Sequence, residues 1–219
     1  MSMTESNVSK SAPSLTSLTE AIGRKSAEVG GRILVAIAGP PGVGKSTFTD
    51  ALRDRLNAQR PGRCEVLPMD GFHYDDLVLE ARGDRPRKGA PHTFDVEGLH
   101  HMLRRLREAA GDVAVPVFDR SIEIARAGAR IIGPSAGVIL VEGNYLLLDD
   151  PRWAALRDLF DLTIMLQAPF STIEARLRAR WSGFDEQALR EKLEGNDLPN
   201  ARLVLEHSVP ADIVVENDG

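Results

Sequence analysis

From Arg32 to Ala38 the chain reads Arg-Ile-Leu-Val-Ala-Ile-Ala, an apolar, β-branched run with no polar alternation. A half-exposed strand alternates, so this run predicts a strand buried on both faces of a parallel sheet. Shorter segments at Glu65–Met69, Val113–Phe118, Val138–Val141, Leu162–Leu166 and Ala211–Val215 predict further strands. Between them the apolar positions follow a helical rhythm. Leu15 to Val29 sets Leu15, Leu18 and Ile22 on one side and stops at Gly30-Gly31, as an amphipathic helix does. Helices are also predicted from Lys45 to about Ala58 and from the N-cap Asp95 to Ala110. Four more cover Pro151–Phe160, Phe170–Trp181, Asp185–Leu193 and about Pro199–His207. Strands alternating with helices predict an α/β fold, a three-layer sandwich with a mainly parallel central sheet.

Two stretches break the rhythm. Residues 1–14 are small and polar, are interrupted by Pro13, and predict a disordered tail ahead of one domain at 15–219. Residues 70–94 hold three glycines, two prolines and four Arg or Lys without periodicity. An unstructured segment of that length inside a compact domain is usually functional or disordered.

Directly after the first strand comes Gly39-Pro40-Pro41-Gly42-Val43-Gly44-Lys45-Ser46, a full match to G-x-x-x-x-G-K-[ST]. Main-chain N–H groups of such a loop point inward at phosphate oxygens, and the helix that follows adds its positive end. Lys45 is placed to reach the β- and γ-phosphates, Ser46 to ligate Mg²⁺, and Thr47 to make a further phosphate contact. The motif therefore predicts a site for ATP with Mg²⁺.

Two other strands end in carboxylates, Asp70 after Leu67-Pro68-Met69 and Glu142 after Ile139-Leu140-Val141. Ligands of open parallel sheets collect beyond the carboxyl ends of the strands, so both are expected beside the phosphate loop. One could hold the metal and the other accept the proton of an attacking hydroxyl; the spacing leaves open which does which. Asp70, His73, Tyr74, His92 and Asp95 offer hydrogen bonds suited to several hydroxyls, while Phe72, Tyr74 and Phe94 could line a slot for a planar base. Arg82, Arg85, Arg87 and Lys88 would suit an acceptor carrying phosphate or carboxylate, or would simply be solvated. His73, His92, His100 and His101 lack metal-site spacing, and Trp153 and Trp181 read as packing residues.

Bulk composition narrows the class. At 219 residues the chain suits a single α/β domain. Its net charge of −5 argues against a duplex nucleic-acid binder. No apolar run approaches the roughly 20 residues that span a bilayer, and Met1 to Leu18 lacks the apolar centre of a secretory signal. The one cysteine, Cys64, fits a reducing compartment. A cytoplasmic enzyme is expected, with a homodimer as the default assembly.

Five segments occur in order: the phosphate loop, Met69-Asp70-Gly71-Phe72-His73, Arg87 to Asp95, Val117-Phe118-Asp119-Arg120 and Val141-Glu142-Gly143-Asn144-Tyr145. Together they resemble the phosphoribulokinase, uridine kinase and pantothenate kinase group, and within it the bacterial proteins that carry the label fructose transport system kinase. The resemblance covers roughly residues 30–215. It implies a P-loop NTPase fold with a short helical lid at about 176–195 and an acceptor-binding insertion at about 70–95 and 117–130. It places Asp70 at the reacting hydroxyl, Phe94, Asp95, Asp119 and Arg120 at the acceptor, and Glu142 at the Walker B position. Arg176 and Arg180 resemble lid arginines over the phosphates, and Asn196 and Asn200 belong to a segment near the adenine. Transfer to a sugar such as fructose is favoured by that label; a nucleoside or pantothenate-like acceptor, or an ATP-driven switch working on a partner protein, are the alternatives.

Overall fold

The computed structural model describes residues 13–218. Most of the expected tail, residues 1–12, lies outside them. Ser14 belongs to the first helix instead: its Oγ accepts from the Ser17 N–H at 3.1 Å and caps α1 (Leu15–Val29).

The central sheet has five strands, all parallel. β1 (Ile33–Ala38) is entirely buried and lies in the middle. It is flanked on one side by β5 (Val138–Gly143) and then β2 (Cys64–Pro68), and on the other by β6 (Leu162–Gln167) and then β7 (Ile213–Glu216). Alternate residues of β1 enter opposite layers: Leu34, Ala36 and Ala38 join one hydrophobic cluster, Ile33, Val35 and Ile37 the other. One layer contains α1 and α2 (Lys45–Gln59); the other contains α4 (Val96–Glu108). Full burial of each Ile, Leu or Val side chain among them stabilises the fold by about 1.5–3 kcal/mol, which is why this unbroken apolar run forms the central strand.

The remaining strands depart from expectation. β3 (Val113–Asp119) does not enter the parallel sheet but pairs antiparallel with β4 (Ile124–Ile132) as a separate ribbon. β4 was not foreseen, because its sequence, Ile-Ala-Arg-Ala-Gly-Ala-Arg-Ile-Ile, is mostly exposed and has no continuous apolar run. The register shifts between Val115 and Val117, around Pro116, which has no N–H to give the ladder. Gly71 meets the ribbon there: a Cβ on it would stand 2.6 Å from the Pro116 carbonyl oxygen.

Residues 70–94 are ordered rather than loose. They begin within the 3₁₀ turn Met69–Phe72 and continue through α3 (Asp76–Arg82), capped by Asp75, to 3₁₀ turns at Arg85–Arg87 and Pro91–Thr93. The segment closes on itself through Tyr74 N–H to Thr93 O at 3.0 Å and Asp95 N–H to Phe72 O at 2.8 Å. Capping and closure, not amphipathic period, hold it.

The predicted helix at Pro151–Phe160 splits into α5 (Pro151–Ala154) and a 3₁₀ turn at Arg157–Leu159. α6 (Phe170–Arg180) is as expected, and α7 (Glu186–Lys192) runs through a π-helical turn, Leu193–Asp197, into α8 (Leu198–His207). Among the described residues, no helix is long and apolar enough to cross a membrane.

Candidate active site

β1 delivers the chain into the phosphate loop at the carboxyl end of the sheet. Gly42 and Gly44 take φ of 81° and 92°, the left-handed region that a side chain disfavours. A Cβ on Gly44 would also stand 2.7 Å from Asn217 Nδ2. No side chain caps α2, whose N-cap is Gly44, so its first N–H groups are left for an anion.

Lys45 Nζ donates to the Pro40 carbonyl at 2.9 Å and to Asn144 Oδ1 at 2.5 Å. Burial lowers its pKa to about 8, against the pull of Glu142 and Asp70. Ser46 Oγ donates to Glu142 Oε1 at 3.2 Å, while Glu142 Oε2 is buried without a hydrogen-bond partner. Burial raises the Glu142 pKa, Lys45 opposing. A hydroxyl, a carboxylate and an unpartnered buried carboxylate oxygen form a donor set that fits a hard divalent cation such as Mg²⁺, which takes one or two carboxylates plus phosphate oxygens and water. No cluster of three or more His, Cys, Asp or Glu side chains suited to a metal occurs among the described residues.

The same cleft, about 210 Å³, runs from the phosphate loop to the ribbon and the 70–94 segment. Asp70 stands between the two ends, and its Oδ2 accepts from Arg120 Nη2 at 2.9 Å. His73 Nδ1 lies 2.8 Å from the Asp70 carbonyl oxygen, and its ring is packed 4.1 Å from Phe94 and 4.7 Å from Phe118. Burial lowers the His73 pKa. With its Nδ1 proton on a carbonyl, the neutral ring keeps Nε2 as an acceptor. Lys88, itself buried, donates to Asp76 Oδ1 at 2.5 Å and to the Glu123 carbonyl at 2.6 Å. Glu123 has φ 55°, alone in the left-handed region among described residues other than glycine.

Of the residues singled out in the sequence, the cleft brings together Pro41, Gly42, Gly44, Lys45, Ser46 and Thr47 with Asp70, His73, Phe94, Arg120, Glu142, Arg180 and Asn200. Gly39, Pro40 and Val43 complete the phosphate loop without lining the cleft. Others are placed elsewhere. Arg176 Nη1 donates to the Val43 carbonyl at 3.2 Å and to the Asn217 carbonyl at 3.0 Å, behind the loop. Phe72 is in the core, and Tyr74 lies under the Arg82 guanidinium at 4.6 Å. Asp95 caps α4, its Oδ1 accepting from Gly98 N–H at 2.9 Å, and Asp119 binds Ser121 and Arg126. Asn196 donates to the Lys88 carbonyl at 2.8 Å. Lys88 of the basic cluster also lines the cleft, and Trp181, read as a packing residue, lines it with its Nε1 bonded to Asp197 at 2.7 Å; Asn144, Glu123, Phe118 and Gly89, given no role in the sequence, add to the lining. Asn144 was within reach of sequence reasoning, two positions past Glu142.

The sequence profile of the phosphoribulokinase / uridine kinase family matches residues 34–176. A solved structure from Silicibacter sp. TM1040, titled "putative fructose transport system kinase", is similar at 43% identity and a TM-score of 0.86, over 92% of this chain and 98% of that one. An Escherichia coli (strain K12) protein, "Uncharacterized protein YggC", is 38% identical over 84% of this chain and 78% of its own length. A Schizosaccharomyces pombe protein, "Putative uridine kinase C227.14", is 32% identical over 84% of this chain and 83% of its own. With the phosphate loop and the profile in agreement, the chain belongs to the phosphoribulokinase/uridine kinase family and is a small-molecule kinase, a phosphotransferase with a hydroxyl as acceptor.

Proposed function

We propose that the protein transfers the γ-phosphoryl group of ATP to a hydroxyl of a small uncharged polyol, with a sugar such as fructose first. The observation that carries the uncharged class is the pairing of cations at the acceptor end. Lys88 and Arg85 share Asp76, Arg120 binds Asp70, and Arg82 covers Tyr74. Glu123, an exposed residue that also lines the cleft, adds an acidic side chain at this end and has no ion pair among the described residues. With Lys88 and Arg120 already held by carboxylates, little positive charge at this end is left for an acceptor phosphate, whereas hydroxyls can share hydrogen bonds with carboxylates.

In this reading the phosphate-loop N–H groups and Lys45 hold the β- and γ-phosphates, and Ser46 and Glu142 hold Mg²⁺. The bound cation offsets charge on those phosphates. Asp70 accepts the proton of the attacking hydroxyl, kept in place by Arg120. Arg180, beside the phosphate loop in the cleft, faces the charge that develops as the phosphoryl group leaves. His73, Phe94 and Phe118 form a wall on which a ring can rest; an aromatic wall also suits a planar base, which keeps a nucleoside as the second reading.

Coupled ADP release with Mg-ATP should show saturable turnover on fructose, little on fructose phosphates, and none on pantothenate. Turnover on uridine or cytidine with none on any sugar would replace the polyol by a nucleoside. ADP release that no acceptor stimulates would favour an ATP-driven switch.

A further inference from the structure

We propose that Asn196 is a positioning residue: through it, the π-helical turn at Leu193–Asp197 holds the acceptor loop at Lys88–Gly89 and transmits nucleotide occupancy to it. The inference rests on the kinase reading above for which end of the cleft takes nucleotide and which takes acceptor.

A π turn interrupts regular helix hydrogen bonding and recurs at functional positions. This one turns two polar side chains inward, leaving Asn196 2% and Asp197 9% exposed. Asp197 lines the cleft, whereas Asn196 lies behind it against the acceptor loop. Asp197 Oδ2 accepts the Trp181 indole N–H at 2.7 Å, and Trp181 directly follows Arg180 at the end of α6. Lys192 Nζ lies 5.0 Å from the Trp181 ring centroid, which ties α7 to the same indole. On the opposite side Asn196 Nδ2 donates to the Lys88 carbonyl at 2.8 Å, while its Oδ1 accepts from Asn200 Nδ2 at 3.1 Å. A buried amide with both ends engaged has one orientation, so Asn196 fixes the position of the Lys88 carbonyl.

The network continues beyond Lys88. Its Nζ reaches the carbonyl of Glu123 in the turn of the ribbon, where the left-handed φ of 55° persists only because its surroundings hold it. Tyr145 Oη donates to the Gly89 carbonyl at 2.5 Å and fixes the next peptide. Hydrogen bonds thus link Trp181 to Asp197 and, through its chain neighbour Asn196, Lys88 and then Glu123; Trp181, Asp197, Lys88 and Glu123 line the cleft. Movement of α6 when Arg180 meets a phosphate is therefore conveyed to the backbone that shapes the acceptor end.

Amide hydrogen exchange on the full chain, with and without Mg-ADP, tests this without an acceptor. Asn196→Ala removes both of the side chain's bonds; Asn196→Asp keeps its size, removes the donor and opposes the Lys88 carbonyl with a carboxylate. In the wild type, Mg-ADP should slow exchange at residues 39–47 and also at 85–94. In either variant the first effect should survive and the second should vanish. Basal exchange at 85–94 should be about tenfold faster or more, with β1 and β5 as protected as before. Asn200→Ala, which removes the hydrogen bond to Asn196 Oδ1, should move 85–94 in the same direction by less. Unchanged exchange at 85–94 in the Asn196 variants, or nucleotide protection there that survives them, overturns the proposal. Absence of protection at 39–47 in the wild type would overturn it too, and would place the failure in the kinase reading beneath it.

Discussion

The two ends of the cleft are built in opposite ways. The phosphate end comes from one contiguous stretch, Gly39 to Thr47, and works largely through main-chain N–H groups at the start of α2. The end we propose for the acceptor is lined by Asp70, His73, Lys88, Phe94, Phe118 and Glu123, which come from the 70–94 segment and the ribbon. Main-chain donors read only charge and shape, so they serve any nucleotide kinase alike. Side chains brought from distant positions can be changed one at a time. That is where acceptor choice can vary without disturbing phosphate binding.

The sharpest way to separate the ends is at their junction. Asp70→Asn keeps size and removes the charge, so kcat should fall by about 10²- to 10⁴-fold, the usual contribution of a general base. Initial-rate kinetics with a saturating acceptor would read this directly. Intact transfer in Asp70→Asn together with a large loss in Glu142→Gln would mean that the two carboxylates hold the opposite roles.

The two arginines of α6 give a smaller, more diagnostic contrast. Arg180 lines the cleft, whereas Arg176 grips the Val43 and Asn217 carbonyls behind the loop. Arg180→Ala should lower kcat by about a hundredfold with little change in ATP binding, as expected for a group acting on developing charge. Arg176→Ala should instead loosen the loop and raise the KM for ATP several-fold. Equal effects of both substitutions on kcat would merge their roles.

The legible parts of the molecule follow the same division. Gly39 to Ser46 could be read because the phosphate cradle is local, and Arg32 to Ala38 because burial on both faces leaves an unbroken apolar run. β4 was not legible: its exposed Arg126, Gly128 and Arg130 carry no strand pattern, and only pairing with β3 makes it a strand. α3 is seven residues long and is set by the Asp75 cap and Gly83 rather than by an apolar stripe. Phe72, Tyr74, Asp95 and Asp119 belong to the right segments, yet their side chains are used for core packing, stacking and capping. Glu123 could not be found from spacing, since what sets it in the cleft is a ribbon turn held by Lys88, 35 positions away.

The pH dependence should be gentler still. Burial lowers the Lys45 pKa to about 8, so in the free enzyme its ammonium loses its proton as the pH rises through that value. The charged form is the one that attracts phosphate. kcat/KM for ATP should therefore be flat below pH 8 and decline by up to about tenfold per unit above it. A profile level to pH 10 would show that Lys45 retains an ordinary lysine pKa.

The division of labour between the two ends is tested most directly by calorimetric titration of Mg-ATP into Lys45→Ala and Asp70→Asn beside the wild type. Loss of Lys45 should weaken binding by about tenfold or more, because a charge buried against phosphate is removed. Asp70→Asn should leave the Kd within about threefold of the wild type, whatever happens to transfer. Weakening of Mg-ATP in Asp70→Asn as large as that in Lys45→Ala would contradict the account, because Asp70 would then belong to the nucleotide end.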